Sequence, residues 1–231
     1  MKRWIILVIF CPIIFYQFLF FADFSDKVIE NTKSAIVALY TDENLNYFRA
    51  SGFFINSSGV VITAKHVVRD HLKLWARLYN GRKLELTLNR FQEDDDLAIM
   101  LPKVSKNESF NFPYLKFSDI NKLAVGQPVM SIGNSINGLW QVVYGDIENM
   151  YKNIIVEDDV NLNMVKFKSI IEHSSIMPKG FSGSPLVDEK GEVLGMNIAI
   201  SKFSSDRNSS YAINLGMIRS FVEEFNRKNH K

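Results

Sequence analysis

The chain has 231 residues, 47% of them apolar, which is enough for one globular unit with a sizeable core or for two small barrels sharing a cleft. Its 27 basic and 25 acidic side chains leave a net charge of +2, and Lys2 and Arg3 carry both surplus charges. The remainder is formally neutral, so no basic surface calls for nucleic acid.

The run Trp4 to Phe21 holds no charge, follows Lys2 and Arg3, and is long enough to cross hydrocarbon. It reads as a membrane segment or a signal peptide. A cleavable signal wants small residues at the first and third positions before the cut, and Ala22 satisfies this where Phe20 does not. Residues 1–23 are therefore expected to form an uncleaved single-pass anchor with its basic end in the cytoplasm and the rest of the chain exported. Cys11, the one cysteine, lies inside this run, which excludes an intrachain disulfide.

Residues 24–33 are polar with scattered apolar positions and predict a short helix leading into a strand at Ala35–Tyr40. Leu74–Tyr79 and Lys83–Leu88 alternate in period two around Asn80-Gly81, which predicts a hairpin with a two-residue type I′ turn. A first unit is expected to end near Phe117, and a second set of strands to run from Ala124 to about Ile213. The polar stretch Asn149 to Asn163 reads as a surface loop within it. Ile218, Phe221, Val222 and Phe225 then fall at helical spacing, predicting a terminal helix over 215–227.

Three segments carry the chemistry. Gly180-Phe181-Ser182-Gly183-Ser184-Pro185-Leu186 presents a serine on a tight glycine-flanked turn. Thr63-Ala64-Lys65-His66-Val67-Val68 offers a base, and Asp94-Asp95-Asp96-Leu97-Ala98-Ile99-Met100 a carboxylate. A serine hydroxyl is a poor nucleophile near neutral pH, so acyl transfer needs a base in reach and a third group that fixes the tautomer of that base. Their chain order, His then Asp then Ser, differs from that of subtilisin-like and α/β-hydrolase scaffolds.

Together these segments resemble the trypsin-like serine peptidases, and among them the bacterial HtrA/Deg branch. Ser51–Ile55 with Gly59–Thr63 resembles the strand, turn and strand before the catalytic histidine. Val125–Val129 with Ser131–Asn134 resembles the entry to the second barrel. Gly191–Asn197 resembles the hairpin after the nucleophile, and Tyr211–Ile213 the closing strand.

The resemblance implies an all-β peptidase domain over 24–231 made of two antiparallel six-stranded barrels, at about 34–117 and 118–214, followed by the terminal helix. It implies His66 as base, Asp96 as orienting carboxylate and Ser182 as nucleophile, with the amides of Gly180 and Ser182 as the oxyanion hole. Asp96 is chosen over Asp94 and Asp95 because it abuts the apolar strand, while the other two read as a solvated loop. His173 reads as structural. The substrate pocket is expected around Ile176, Asn197, Ile198 and Ala199, taking small or medium aliphatic residues. No metal or organic cofactor is implied. The partners are polypeptides, expected to be unfolded, and the membrane, and a homo-oligomer is left open. No PDZ domain is expected after the terminal helix.

The nucleophile turn departs from the family pattern. Phe181 stands where Asn or Asp usually precedes the serine, Ser184 replaces glycine, and Lys179 reads as an added residue. The phenylalanine excludes activation by an ion pair to a new N-terminus. A lengthened loop would misplace the amides, so the alternative expectation is a latent or non-catalytic barrel acting as a membrane-tethered peptide-binding or sensor module.

Overall fold

The computed structural model describes residues 24–92, 94–104, 110–157, 164–204 and 207–229. The apolar N-terminal run and its expected anchor lie outside them. Among the described residues no helix is long and apolar enough to cross a membrane.

Helix α1 (Asp26–Ala35) starts where the Ser25 hydroxyl accepts a hydrogen bond from the Val28 amide at 3.3 Å. It lies over both halves of the molecule. Glu30 accepts from the Tyr79 hydroxyl at 2.8 Å, Val28 and Thr32 pack on Gly191, and Phe24 just before the helix meets the Tyr144 ring.

Among the described residues twelve strands follow in two sets of six. The first set is β1 (Ile36–Tyr40), β2 (Phe48–Phe54), β3 (Val61–Ala64), β4 (Lys73–Leu78), β5 (Lys83–Gln92) and β6 (Leu97–Pro102), with the one-turn helix α2 (Lys65–Val68) between β3 and β4. The second set is β7 (Pro128–Ser135), β8 (Gly138–Glu157), β9 (Met164–His173), β10 (Pro185–Val187), β11 (Val193–Ser204) and β12 (Arg207–Asn214). Each set closes on itself through antiparallel pairs, in the order β1-β2-β3-β6-β5-β4 and β10-β11-β12-β9-β8-β7. Closure pairs every edge, which is how a chain this rich in strands avoids open ladders.

All five residues of β1 are buried. Alternation fails there because one face of the strand fills the first barrel and the other meets the second. A large apolar cluster accordingly reaches from Ile36 and Phe53 in the first barrel to Met130, Ile132 and Met196 in the second, and a smaller one of Val129, Ile147, Ile171, Leu186, Leu194 and Ala212 lies within the second barrel. Helix α3 (Leu215–Asn229) seats Ile218, Phe221 and Phe225 on the larger cluster, as their spacing predicts. It is tied to the first barrel by the Arg90–Glu224 ion pair.

Two sequence expectations need correction. The stretch from Asn149 is not a loop as far as Glu157, because β8 continues to that residue and pairs with β9 down to Glu157↔Met164. Met150, Tyr151, Ile154, Ile155 and Val156 are strand-forming residue types that the interspersed polar ones conceal. The Asn80-Gly81 hairpin does not use a two-residue type I′ loop either. Gly81 N donates to Leu78 O at 2.9 Å, Leu78 N donates to Arg82 O at 2.9 Å, and only Gly81 of the two has positive φ (83°). This is the three-residue pattern in which a left-handed glycine follows a turn.

Candidate active site

Helix α2 carries His66. It begins directly at the end of β3, and its open carbonyls are capped from β2, since Arg49 donates to Val67 O and His66 O, both at 3.2 Å. Asp96 sits just before β6 with φ of +50°, a left-handed conformation that aspartate tolerates better than most residues. That turn aims the carboxylate back at α2. One oxygen of Asp96 accepts from the His66 amide at 2.8 Å and the other faces His66 Nδ1 at 2.7 Å, while the Asp96 carbonyl accepts from Lys65 N at 2.9 Å. Both carboxylate oxygens and the carbonyl thus grip the histidine segment, and Nδ1 is held as the protonated nitrogen. Nε2 is left to accept a proton.

The other two aspartates separate. Asp94 is exposed and lies 3.8 Å from Lys168. Asp95 corrects the expectation of a solvated loop, because it is buried, accepts from the Gln92 side-chain amide, and keeps its second oxygen without a partner among the described residues. Burial first, then the charge of Asp94, pushes its carboxyl above the usual range against the pull of Lys168.

Ser182 follows a turn closed by Phe181 N donating to Pro178 O at 3.3 Å, with Gly180 at φ +108°. Beyond the serine, Gly183 has φ +84° and donates to Asn197 O at 2.8 Å. A Cβ at Gly183 would stand 2.2 Å from Ser51 O, 2.4 Å from Thr63 Oγ1 and 3.2 Å from Ala64 N. The nucleophile turn therefore presses its bare glycine onto the end of β3, two residues before His66. Ser51 N also donates to Ser182 O at 3.1 Å. The Ser182 hydroxyl donates to Ile198 O at 3.3 Å. Among the described residues, the amides of Gly180 and Ser182 donate to no acceptor, so both remain available to a ligand.

Each departure in the turn has a structural counterpart. Phe181 is 1% exposed and packs on Gly133. Ser184 is buried and its hydroxyl accepts from Asn197 Nδ2 at 2.9 Å. Lys179 lies within the Pro178 to Phe181 turn, which closes around it.

The expected pocket residues are dispersed. Ile176 is 73% exposed on the approach to the nucleophile turn. Ile198 is buried and offers its carbonyl to the serine. Ala199 pairs through its backbone with Tyr211, and its side chain lies outside the description. Asn197 is fully buried, and Nδ2 donates to Ser131 Oγ at 2.8 Å, to Ser184 Oγ and to Pro185 O, so its side chain serves the barrel interior. Its Oδ1 faces His173 Nε2 at 3.0 Å, which fixes the proton on Nε2. His173 is fully buried with Nδ1 unpartnered, and burial lowers its pKa to about 4.

Sequence reading did not single out Arg49 or Ser51 as members of this site. Arg49 had no local signal, because its partners are carbonyls 17 and 18 residues away. Ser51 had no local signal either, because its hydroxyl is used by Gly180 and Asn134, far away in sequence.

Residues 50–196 match the family model described as a trypsin-like peptidase domain. The chain belongs to this family. A probable periplasmic serine endoprotease, DegP-like, from Chlamydia pneumoniae is 32% identical over 152 residues, covering 66% of this chain and 29% of that protein. Its counterpart from Bartonella henselae is 34% identical over 150 residues, covering 65% and 27%. The chain thus spans less than a third of the length of these curated relatives. Among solved structures, the HtrA-type protease AlgW with a decapeptide superposes with a TM-score of 0.67 at 20% identity, covering 85% of this chain and 66% of that one. The apo MamO protease domain from Magnetospirillum magneticum gives 0.69 at 18% identity, covering 83% and 97%. These two likenesses concern the fold, and they agree with the paired barrels described above.

Proposed function

We propose that this chain hydrolyses peptide bonds through His66, Asp96 and Ser182, acting on unfolded or damaged segments of exported proteins from an anchor in residues 1–23. The observation that carries the reading is the two-oxygen grip of Asp96 on the backbone and ring of His66, beside a serine turn whose Gly180 and Ser182 amides are unengaged.

The chemistry follows from these groups. The Ser182 hydroxyl leaves its contact with Ile198 O and gives its proton to His66 Nε2 as its oxygen bonds to the scissile carbonyl carbon. Asp96 stabilises the imidazolium that forms. The Gly180 and Ser182 amides take the oxyanion, each donor being worth about 3 kcal/mol in systems of this kind. Collapse breaks the carbon–nitrogen bond, with the imidazolium proton passing to the leaving amine. Water then attacks the acyl-enzyme by the same route and restores Ser182.

The periplasmic DegP-like relatives support an extracytoplasmic site of action, and the peptide-bound AlgW structure supports a polypeptide ligand. The non-catalytic binding module is less well supported, since binding alone gives no use to a histidine whose backbone and ring are both held by Asp96. The test is degradation of casein by the full chain and by Ser182→Ala. The proposal expects turnover by the first and none by the second, and equal rates would refute it.

A further inference from the structure

We propose that Phe181 is a positioning residue for the two oxyanion-stabilising amides, acting as an apolar latch between the nucleophile turn and strand β7. The inference rests on the peptidase reading and adds what holds its turn in place. Phe181 is the residue between Gly180 and Ser182, so its placement anchors the peptide plane that carries the Ser182 amide and holds Gly180, whose amide is the second donor, against the same strand. Its ring is buried and lies where residue 133 has no side chain, since a Cβ there would stand 2.7, 2.8 and 3.0 Å from ring atoms Cδ1, Cγ and Cε1. Strand β7 therefore contains a slot one side chain deep, and the ring fills it.

The neighbouring residue completes the latch. Asn134 O lies 2.7 Å from where a Cβ on Gly180 would be, so the turn lies directly against β7. Asn134 N donates to Ser51 Oγ at 2.8 Å, and Ser51 Oγ donates in turn to Gly180 O at 2.9 Å. Two consecutive residues of β7 thus hold two consecutive residues of the turn, one through packing and one through a hydroxyl from the first barrel. In trypsin-type enzymes that use an acidic residue before the serine, a charge pair does this work. Here the main hold is apolar, so it neither titrates nor waits for a newly formed N-terminus.

The test measures kcat and KM for a peptide substrate with the full chain, Phe181→Ala, Phe181→Met and Gly133→Ala, alongside the proton NMR titration of the His66 ring. Emptying the slot in Phe181→Ala, or closing it in Gly133→Ala, is expected to cut kcat on the order of a hundredfold, the cost of one misplaced donor, with KM little changed. The His66 titration should stay as in the native protein, because the grip of Asp96 is untouched. Phe181→Met refills the slot with a flexible chain and is expected to recover most of kcat. Should Phe181→Ala fail to fold, Gly133→Ala carries the same prediction. Native kcat in either variant, or a loss accompanied by an altered His66 titration, overturns the inference. A native chain no faster than Ser182→Ala instead refutes the peptidase reading, and the inference falls with it.

Discussion

His173 makes the stability of this fold depend on pH in a way that can be worked out from its surroundings. The ring is fully buried, Nε2 is committed to Asn197 Oδ1, and Nδ1 meets no acceptor, so protonation would place an unpartnered charge in the second barrel. Burial lowers the folded pKa from 6.5 to about 4. The unfolded chain therefore binds more protons than the folded one between these values, and stability is lost as pH falls through the window. The loss is about 2 kcal/mol by pH 5 and about 3 kcal/mol near pH 4, at 1.36 kcal/mol per pKa unit. Urea unfolding followed by tryptophan fluorescence at pH 7, 5 and 4, for the native chain and His173→Gln, isolates this term, because other titrating groups such as Asp95 contribute equally to both. The native chain should lose that much more stability than the variant over the range. Parallel stability curves would refute the assignment of a buried neutral histidine.

Three further outcomes are expected. Asp96→Asn leaves the fold intact and lowers kcat by ~10³ to 10⁴, since an amide in its place can present the wrong tautomer of His66 to the serine; steady-state kinetics reads this directly. Gly183→Ala must hold a side chain at φ +84° and drive its Cβ to 2.2 Å from Ser51 O, so thermal unfolding should show a loss well above the roughly 1 to 2 kcal/mol of the backbone conformation alone. Arg90→Met removes the partly exposed pair with Glu224 while keeping an apolar stem near Phe221, and should leave the midpoint of denaturant unfolding little changed.

Much of this site was legible because its parts are local. The histidine turn, the aspartate at the head of an apolar strand and the glycine-flanked serine each announce themselves within a few residues, and the structure joins the first two at 2.7 Å. What escaped depends on partners distant in sequence. Asp95 looks like its neighbours until the fold buries it, and the role of Ser51 appears only when Gly180 and Asn134 arrive from 129 and 83 residues away. Phe181 reads as a defect in the motif until Gly133 supplies the slot it fills. The family resemblance implies Asn197 as a pocket residue, but its side chain is buried against Ser131 and Ser184. The hairpin missed for another reason, since Asn-Gly permits both a two-residue and a three-residue loop and local sequence does not decide between them.

The account turns on Ser182 being a nucleophile activated by His66. Treating the full chain with a fluorophosphonate and mapping the adduct by mass spectrometry tests this most directly. The prediction is a single adduct on Ser182 that is lost in His66→Ala and strongly reduced in Asp96→Asn. A folded native chain that stays unlabelled, or labelling of Ser182 that persists without His66, would contradict it.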